Sequence, residues 1–164
     1  MKSCLAFLGA LLLASAGLAQ QAPRSDLTVD EIVNALSPAP KTRSLGRNLK
    51  VEPAKIDMTI NFDFDSANLK NESKPQLERL AQALKNDRLL QLRFQVEGHT
   101  DARGSASYNL GLSSRRADSV LSFLVQQGIE KDRLQAVGKG FTELIEPGDP
   151  ASAKNRRVRI MTLE

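Results

Sequence analysis

Apolar and polar residues alternate with a period of two in three segments of the chain: 56–62, 92–97 and 158–162. This period indicates strands that bury one face and leave the other polar. A weaker strand is expected at 134–137, directly before the glycine-flanked Gly138-Lys139-Gly140. The pattern therefore predicts four short strands spread over the C-terminal two thirds of the sequence.

Two segments between these strands have the apolar spacing of helices instead. Ser73 begins the first helix, with Gln76 at the distance of a capping box, and an apolar stripe follows over 77–84. The second helix is longer, carries apolar residues at 120–125 and ends near Gly128, a residue type that suits a left-handed cap. The order βαβαβ-β predicts an α/β fold (an α+β sandwich), with a small mixed sheet covered by helices on one face.

The first nineteen residues have the pattern of a secretory signal peptide. Lys2 gives a positive start, residues 5–13 form an apolar run, and cleavage is expected after Ala16 or Ala19. An uncleaved membrane anchor is the alternative, although the run is short for a transmembrane helix. We therefore expect export to the periplasm and no transmembrane span in the mature chain.

Residues 20–55 are expected to form a flexible tether, because they contain several prolines and few large apolar residues. Within the tether, Thr28 and Glu31 have capping-box spacing, which predicts a short amphipathic helix near 28–37. Two alternatives stay open for this helix. It packs as a stub on the domain or forms nothing stable, or it docks an envelope protein partner through residues 27–36.

Composition narrows the classes of function. The 164 residues suit one main domain, predicted at 56–164, and the net charge of +4 is dispersed among both signs, which argues against nucleic acid as a partner. Aromatic residues make up only 4%, without Trp, which argues against a surface that stacks on bases or sugars. Cys4 precedes the signal's apolar run and His99 is the only histidine, so we expect no metal site and no cofactor.

The most polar stretch of the chain begins with Gly-His-Thr-Asp at Gly98 and extends into the second helix. Asp101 lies on a loop at the end of a strand, whereas Asn109 and Arg116 are seven residues apart and share one helical face. Asp101 suits an ammonium group and Arg116 suits a carboxylate. The two side chains either pair with each other or bind a ligand that carries both charges on one carbon, an amino-acid head.

A second pair of carboxylates, Asp63 and Asp65, raises the question of glycoside hydrolysis. The separation of two carboxylates cannot be read from a sequence, and Asp is common in turns at strand ends. No segment combines a nucleophile with a proton donor of raised pKa. We therefore expect a binding protein rather than an enzyme.

Four segments together resemble one protein family. In chain order they are "NFDFDSANL", "VEGHTDARGSASYNLGLSSRRADSVLSFLVQQGI", "LQAVGKGFTE" and "NRRVRI". They resemble the successive motifs of the OmpA-like peptidoglycan-binding domain, which also occurs in peptidoglycan-associated lipoproteins and flagellar stator proteins. The resemblance covers the chain from about Ile56 to its C-terminal end.

The resemblance implies non-catalytic binding of the peptidoglycan stem peptide, through the free amino-acid end of meso-diaminopimelate, in the periplasm at the outer membrane. By this resemblance Asp101 binds the ammonium and Arg116 binds the carboxylate, and the two pair with each other in the empty site. Thr100, Asn109 and Leu112 shape the same pocket. Its border is expected to comprise Asp63, Phe64, His99, Asn155, Arg156 and Arg157, with the choice between the last two as the ligand-facing arginine left open.

Overall fold

The computed structural model describes residues 23–38 and 53–163, so the predicted signal peptide and its two cleavage sites lie outside the described residues. Four strands, β1 Lys55–Met58, β2 Arg93–His99, β3 Leu134–Gly140 and β4 Val158–Leu163, form one sheet in the order β1-β4-β2-β3. Strands β2 and β3 are parallel, whereas β4 pairs antiparallel with β1 and with β2. The predicted mixed sheet is therefore confirmed.

One face of the sheet carries the apolar side chains that the alternation predicted. Phe94 and Val96 of β2 lie beside Val158 and Ile160 of β4 in the core, where they are almost fully buried. Helices α1 Val29–Leu36, α2 Lys74–Leu84 and α3 Ala106–Gln126 contribute the rest of this core. Within the described part of the chain, no helix combines the length and the apolar composition needed to cross a membrane.

Helix α3 packs directly onto glycines of the two parallel strands. Gly98 of β2 pairs with Gly138 of β3. A Cβ atom at Gly98 would lie 2.2 Å from the carbonyl oxygen of Ser113, and one at Gly138 would lie 2.2 Å from Ser114 Oγ. Strand β2 continues to His99, beyond Val96, its last apolar side chain. At Gly98 the backbone of α3 packs against the glycine itself instead of against a side chain.

The opposite face of the sheet carries a cluster of ion pairs. Asp57, Arg159 and Glu97 are neighbours across three strands. Arg157 Nε donates to Asp57 Oδ1 at 2.8 Å, Arg159 Nε donates to the same oxygen at 3.0 Å, and Lys139 Nζ lies 3.2 Å from Glu97 Oε1. Burial raises the pKa of Glu97, but hydrogen bonds from neighbouring side chains outweigh it and hold this pKa at about 2.

The N-terminal helix α1 belongs to the same packed unit as the sheet. Its capping box is present as predicted: Glu31 N donates to Thr28 Oγ1 at 3.3 Å, and Thr28 N donates to Glu31 Oε2 at 2.8 Å. Thr162 Oγ1 of β4 donates to the carbonyl oxygen of Leu36. Of the two alternatives for this helix, the contacts fit a stub packed on the domain, since three of its apolar side chains are buried in the core: Ile32, Val33 and Leu36.

The capping box predicted for helix α2 is wrong. Ser73 closes a 3₁₀ turn and has helical backbone angles, and its side chain makes no capping hydrogen bond. Instead, Ser73 Oγ accepts a hydrogen bond from Asn61 N at 2.7 Å, which ties the helix to the segment after β1. The predicted end of α3 is confirmed, because Gly128 follows the helix with a φ of +88°.

Candidate binding groove

A groove of about 530 Å³ lies where the segment after β1, the loop after β2 and the first half of α3 meet. All five residues predicted to contact a ligand line this groove, although they come from two different elements. The structure brings together Thr100, Asp101, Asn109, Leu112 and Arg116.

The close approach of α3 to the glycines of β2 and β3 positions three of these side chains. Asn109, Leu112 and Arg116 follow one another at intervals of three and four residues and therefore share one helical face. Asn109 Nδ2 donates to the carbonyl oxygen of Arg103 at 2.7 Å, which fixes the loop after β2 to the helix. Ser105 caps the helix by accepting from Tyr108 N.

The carboxylate of Asp101 is surrounded by arginine donors. Its Oδ2 accepts hydrogen bonds from Arg103 Nη2 at 2.7 Å, from Arg103 Nε at 3.1 Å and from Arg156 Nη1 at 2.9 Å. Its Oδ1 accepts from the backbone N of Arg103 at 3.1 Å. Burial raises the pKa of Asp101, but these hydrogen bonds outweigh burial and lower it below its ordinary value. Asp101 is therefore charged at neutral pH.

Arg116 is held in the groove by a backbone carbonyl and an aromatic ring. Its Nε donates to the carbonyl oxygen of Ser66 at 3.0 Å, and its guanidinium carbon lies 4.9 Å from the centroid of the Phe62 ring. No carboxylate among residues 23–38 and 53–163 lies within 4.0 Å of its guanidinium nitrogens. Burial lowers the pKa of Arg116, and the charge of Arg156 lowers it further, but arginine stays protonated in proteins.

The predicted ion pair between Asp101 and Arg116 is thus wrong for the empty groove. Arg103 is only two residues from Asp101 and reaches its carboxylate within the same loop. Arg116 is directed to Ser66 and Phe62 instead. The two side chains line one groove, but each has its own partners there.

The segment from Phe62 to Leu69 forms the opposite wall of the groove. Its two ends pair in an isolated antiparallel bridge, and Asp65 at its turn has a φ of +51°, in the left-handed region. Asp63 and Phe64 line the groove as predicted, and the ring of Phe64 is fully exposed. Arg116 supports this wall through its bond to the Ser66 carbonyl.

Three of the predicted border residues do not line the groove. Strand alternation directs the His99 side chain to the polar face of the sheet, where its Nε2 lies 3.5 Å from Glu97 Oε2. Asn155 Oδ1 instead accepts from the backbone nitrogens of Ile145 and Glu146, which shapes the loop before β4. Arg157 is buried against Asp57. The open choice between the two arginines therefore falls to Arg156, which lines the groove and donates to Asp101.

Sequence reasoning missed several residues of the groove, of which Arg103 matters most. An arginine two residues after an aspartate is within reach of its carboxylate, and this spacing was the available signal. The other missed lining residues are Phe62, Asp65, Lys70 and Tyr108.

The hydroxyl of Thr100 is buried at the groove without a hydrogen-bond partner among the described residues. The described residues also include no group of three or more His, Cys, Asp or Glu side chains that could hold a metal ion.

Comparison with known proteins identifies relatives over the same part of the chain. The chain is 38% identical over 104 residues to the peptidoglycan-associated lipoprotein of Pseudomonas aeruginosa, covering 62% of this chain and 60% of the relative. It is 40% identical over 102 residues to outer membrane protein A of Bordetella avium, covering 60% of this chain and 51% of the relative. It therefore spans less than two thirds of the length of either relative.

A solved structure resembles the same part of this chain. The cell wall anchor of the T6SS from Pseudomonas aeruginosa superposes with a TM-score of 0.57 and 30% identity, over 69% of this chain and 82% of the anchor. The model of the OmpA family matches residues 61–158, which include the groove, strands β2 and β3 and the first residue of β4. Because this match covers more than half of the chain, the protein belongs to the OmpA family.

Proposed function

We propose that the groove binds peptidoglycan by its stem peptide and grips the amino-acid head of meso-diaminopimelate. The observation that carries the proposal is the pair of Asp101 and Arg116 in one groove: a charged acid, and a cation for which residues 23–38 and 53–163 provide no carboxylate partner. The names of two relatives, a peptidoglycan-associated lipoprotein and a cell wall anchor, support the same ligand.

The two ends of the head match different sides of the groove. Asp101 accepts hydrogen bonds from the ammonium group, and the terminal nitrogens of Arg116 hold the carboxylate as a planar fork. Thr100 adds a buried hydroxyl that has no other described partner, and Leu112 gives an apolar surface for the aliphatic part of the ligand. A head without its carboxylate would leave Arg116 unpaired in a half-buried site, which favours diaminopimelate over lysine.

Binding without catalysis fits the chemistry of the groove. A general acid needs a pKa raised toward neutrality, whereas guanidinium groups hold Asp101 in its charged form. We therefore propose a wall-binding protein of the periplasm, associated with the outer membrane. Docking of a protein partner through the apolar face of α1 is not supported, because that face is buried in the core.

Co-sedimentation of the purified protein with isolated sacculi tests the proposal. Asp101→Asn keeps the shape of the side chain and removes its charge, and Arg116→Ala removes the fork. Loss of one partner from a buried charge pair costs about 2–5 kcal/mol, so both variants should stay in the supernatant. Arg115→Ala, at an exposed position of the same helix, is the matched control and should pellet with the wild type. Equal pelleting of all four folded proteins would refute the proposal, and release of soluble muropeptides would refute its non-catalytic part.

A further inference from the structure

We infer that Arg103 leaves Asp101 when the ligand binds and takes a second carboxylate of the stem peptide, one residue away from the amino-acid head. This inference rests on the proposed function and adds a specificity to it. It assigns the groove a ligand that carries the zwitterionic head and one further negative charge.

The two oxygens of Asp101 are unequally occupied in the empty groove. Oδ2 accepts three hydrogen bonds, two from the Arg103 guanidinium and one from Arg156, whereas Oδ1 accepts one, from the backbone N of Arg103. Each carboxylate oxygen offers about two lone-pair sites, so an ammonium group that uses both oxygens must replace a guanidinium donor at Oδ2. The empty site is occupied by the protein's own cations.

Arg103 is the donor that moves at the lower cost. Its side chain is 67% exposed, compared with 42% for Arg156, and ion pairs at such exposed positions contribute little to stability. Its backbone, in contrast, is held at both ends of the residue. The backbone N of Arg103 donates to Asp101 Oδ1, and its carbonyl oxygen accepts from Asn109 Nδ2. The guanidinium can therefore turn away by rotamer changes while the loop stays in place.

Charge balance in the groove indicates where the guanidinium goes. Three carboxylates, from Asp63, Asp65 and Asp101, line the groove together with four basic side chains, from Lys70 and three arginines. The sum is a charge of about +1, and a zwitterionic head does not change it. Once the ammonium occupies Asp101, Arg103 has lost its only carboxylate partner among the described residues. A second carboxylate next to the head restores a partner for Arg103 and neutralises the groove.

Titration calorimetry with two synthetic tripeptides separates this inference from the proposed function. Both carry an amide at the C-terminal carboxyl of diaminopimelate, so the only carboxylate outside the amino-acid head is that of D-Glu. The first is L-Ala-γ-D-Glu-meso-diaminopimelate with the α-carboxylate of D-Glu free, and the second carries an amide at that position too. Wild type should bind the free acid about five-fold more tightly, which is the scale of an exposed ion pair. Arg103→Ala should bind both peptides equally, and should bind the amide no more weakly than wild type does, because the competing guanidinium is gone.

Two further variants control for non-specific charge effects. Arg115→Ala removes an exposed arginine outside the groove and should keep the five-fold preference. Arg103→Lys keeps the charge and should retain part of the preference. If wild type binds both peptides equally, or if Arg103→Ala keeps the full preference, the inference is wrong while the proposed function stands. If wild type binds neither peptide, both are wrong.

Discussion

The contact between Gly98 and helix α3 allows a substitution to be worked out from the structure. Alanine at Gly98 would place its Cβ 2.2 Å from the carbonyl oxygen of Ser113, and ordinary contact begins at 3.4 Å. The helix must therefore move by about 1.2 Å, the difference between the two distances. The obstructing atoms belong to the backbone, so no side-chain rotation relieves the clash. Overpacking of this kind costs about 1–3 kcal/mol.

Urea denaturation and wall binding together test this prediction. With a slope of about 1–3 kcal/mol per molar urea, the unfolding midpoint of Gly98→Ala should fall by about 1 M. Its binding to sacculi should weaken further, because α3 carries Asn109, Leu112 and Arg116 away from Asp101. Gly148→Ala, where a Cβ meets nothing within 4 Å, is the matched control and should change neither quantity. An unchanged midpoint together with unchanged binding for Gly98→Ala would refute the close packing described above.

Three further substitutions test other parts of the fold. Thr28→Ala removes the capping box of α1 and should lower the free energy of unfolding, measured by urea denaturation, by about 1 kcal/mol. An unchanged free energy of unfolding would mean that the cap does not support the packed helix. Gly111→Ala adds a Cβ that meets only Arg115 Nη1, at 3.4 Å, and should raise the free energy of unfolding by about 0.5–1 kcal/mol, whereas a decrease would contradict the helix as described. The pKa of Glu97 is about 2 in the folded protein against an ordinary 4.5, so its stabilising contribution is present above about pH 4.5 and is lost as the pH falls toward 2. Glu97→Gln should flatten the plot of urea midpoint against pH in this window, and an unchanged slope would contradict the ion cluster.

The predicted strands and helices are largely correct because burial repeats along them with a simple period. Phe94 and Val96 alternate with polar residues, and the helix that ends near Gly128 has a continuous apolar stripe. The end of β2 was predicted too early for a physical reason. Gly98 fills an apolar position without a side chain, so the alternation disappears from the sequence where the helix comes closest.

The five predicted ligand contacts and three of the six predicted border residues line the groove, but the pairing between the charged side chains differs from the prediction. Sequence spacing places Asn109 and Arg116 on one helical face, and this follows from helix geometry alone. The partner of Asp101 depends on which guanidinium lies nearest in the folded loop. Arg103 is two residues away and pairs with Asp101, whereas Arg116 donates to Ser66. Likewise, the side of the sheet to which His99 points depends on how far β2 extends.

The packing of the N-terminal helix stayed open at the level of sequence, because it depends on tertiary contacts. The prolines and charges of the surrounding segment are typical of a flexible tether, and an isolated helix of eight residues would be marginal in water. The helix is stable in the folded protein because its apolar side chains enter a core formed by residues far along the chain. No local pattern in residues 23–38 specifies that partner surface.

Comparison of two stem peptides measures how Asp101 and Arg116 recognise the amino-acid head. Both tripeptides carry L-Ala and γ-D-Glu, and the third residue is meso-diaminopimelate in one and L-lysine in the other, which lacks the distal carboxylate. We expect wild type to bind the diaminopimelate peptide and to lose about 2–5 kcal/mol of affinity with the lysine peptide. Equal affinity for the two peptides would show that Arg116 does not bind the head and would contradict the proposed function.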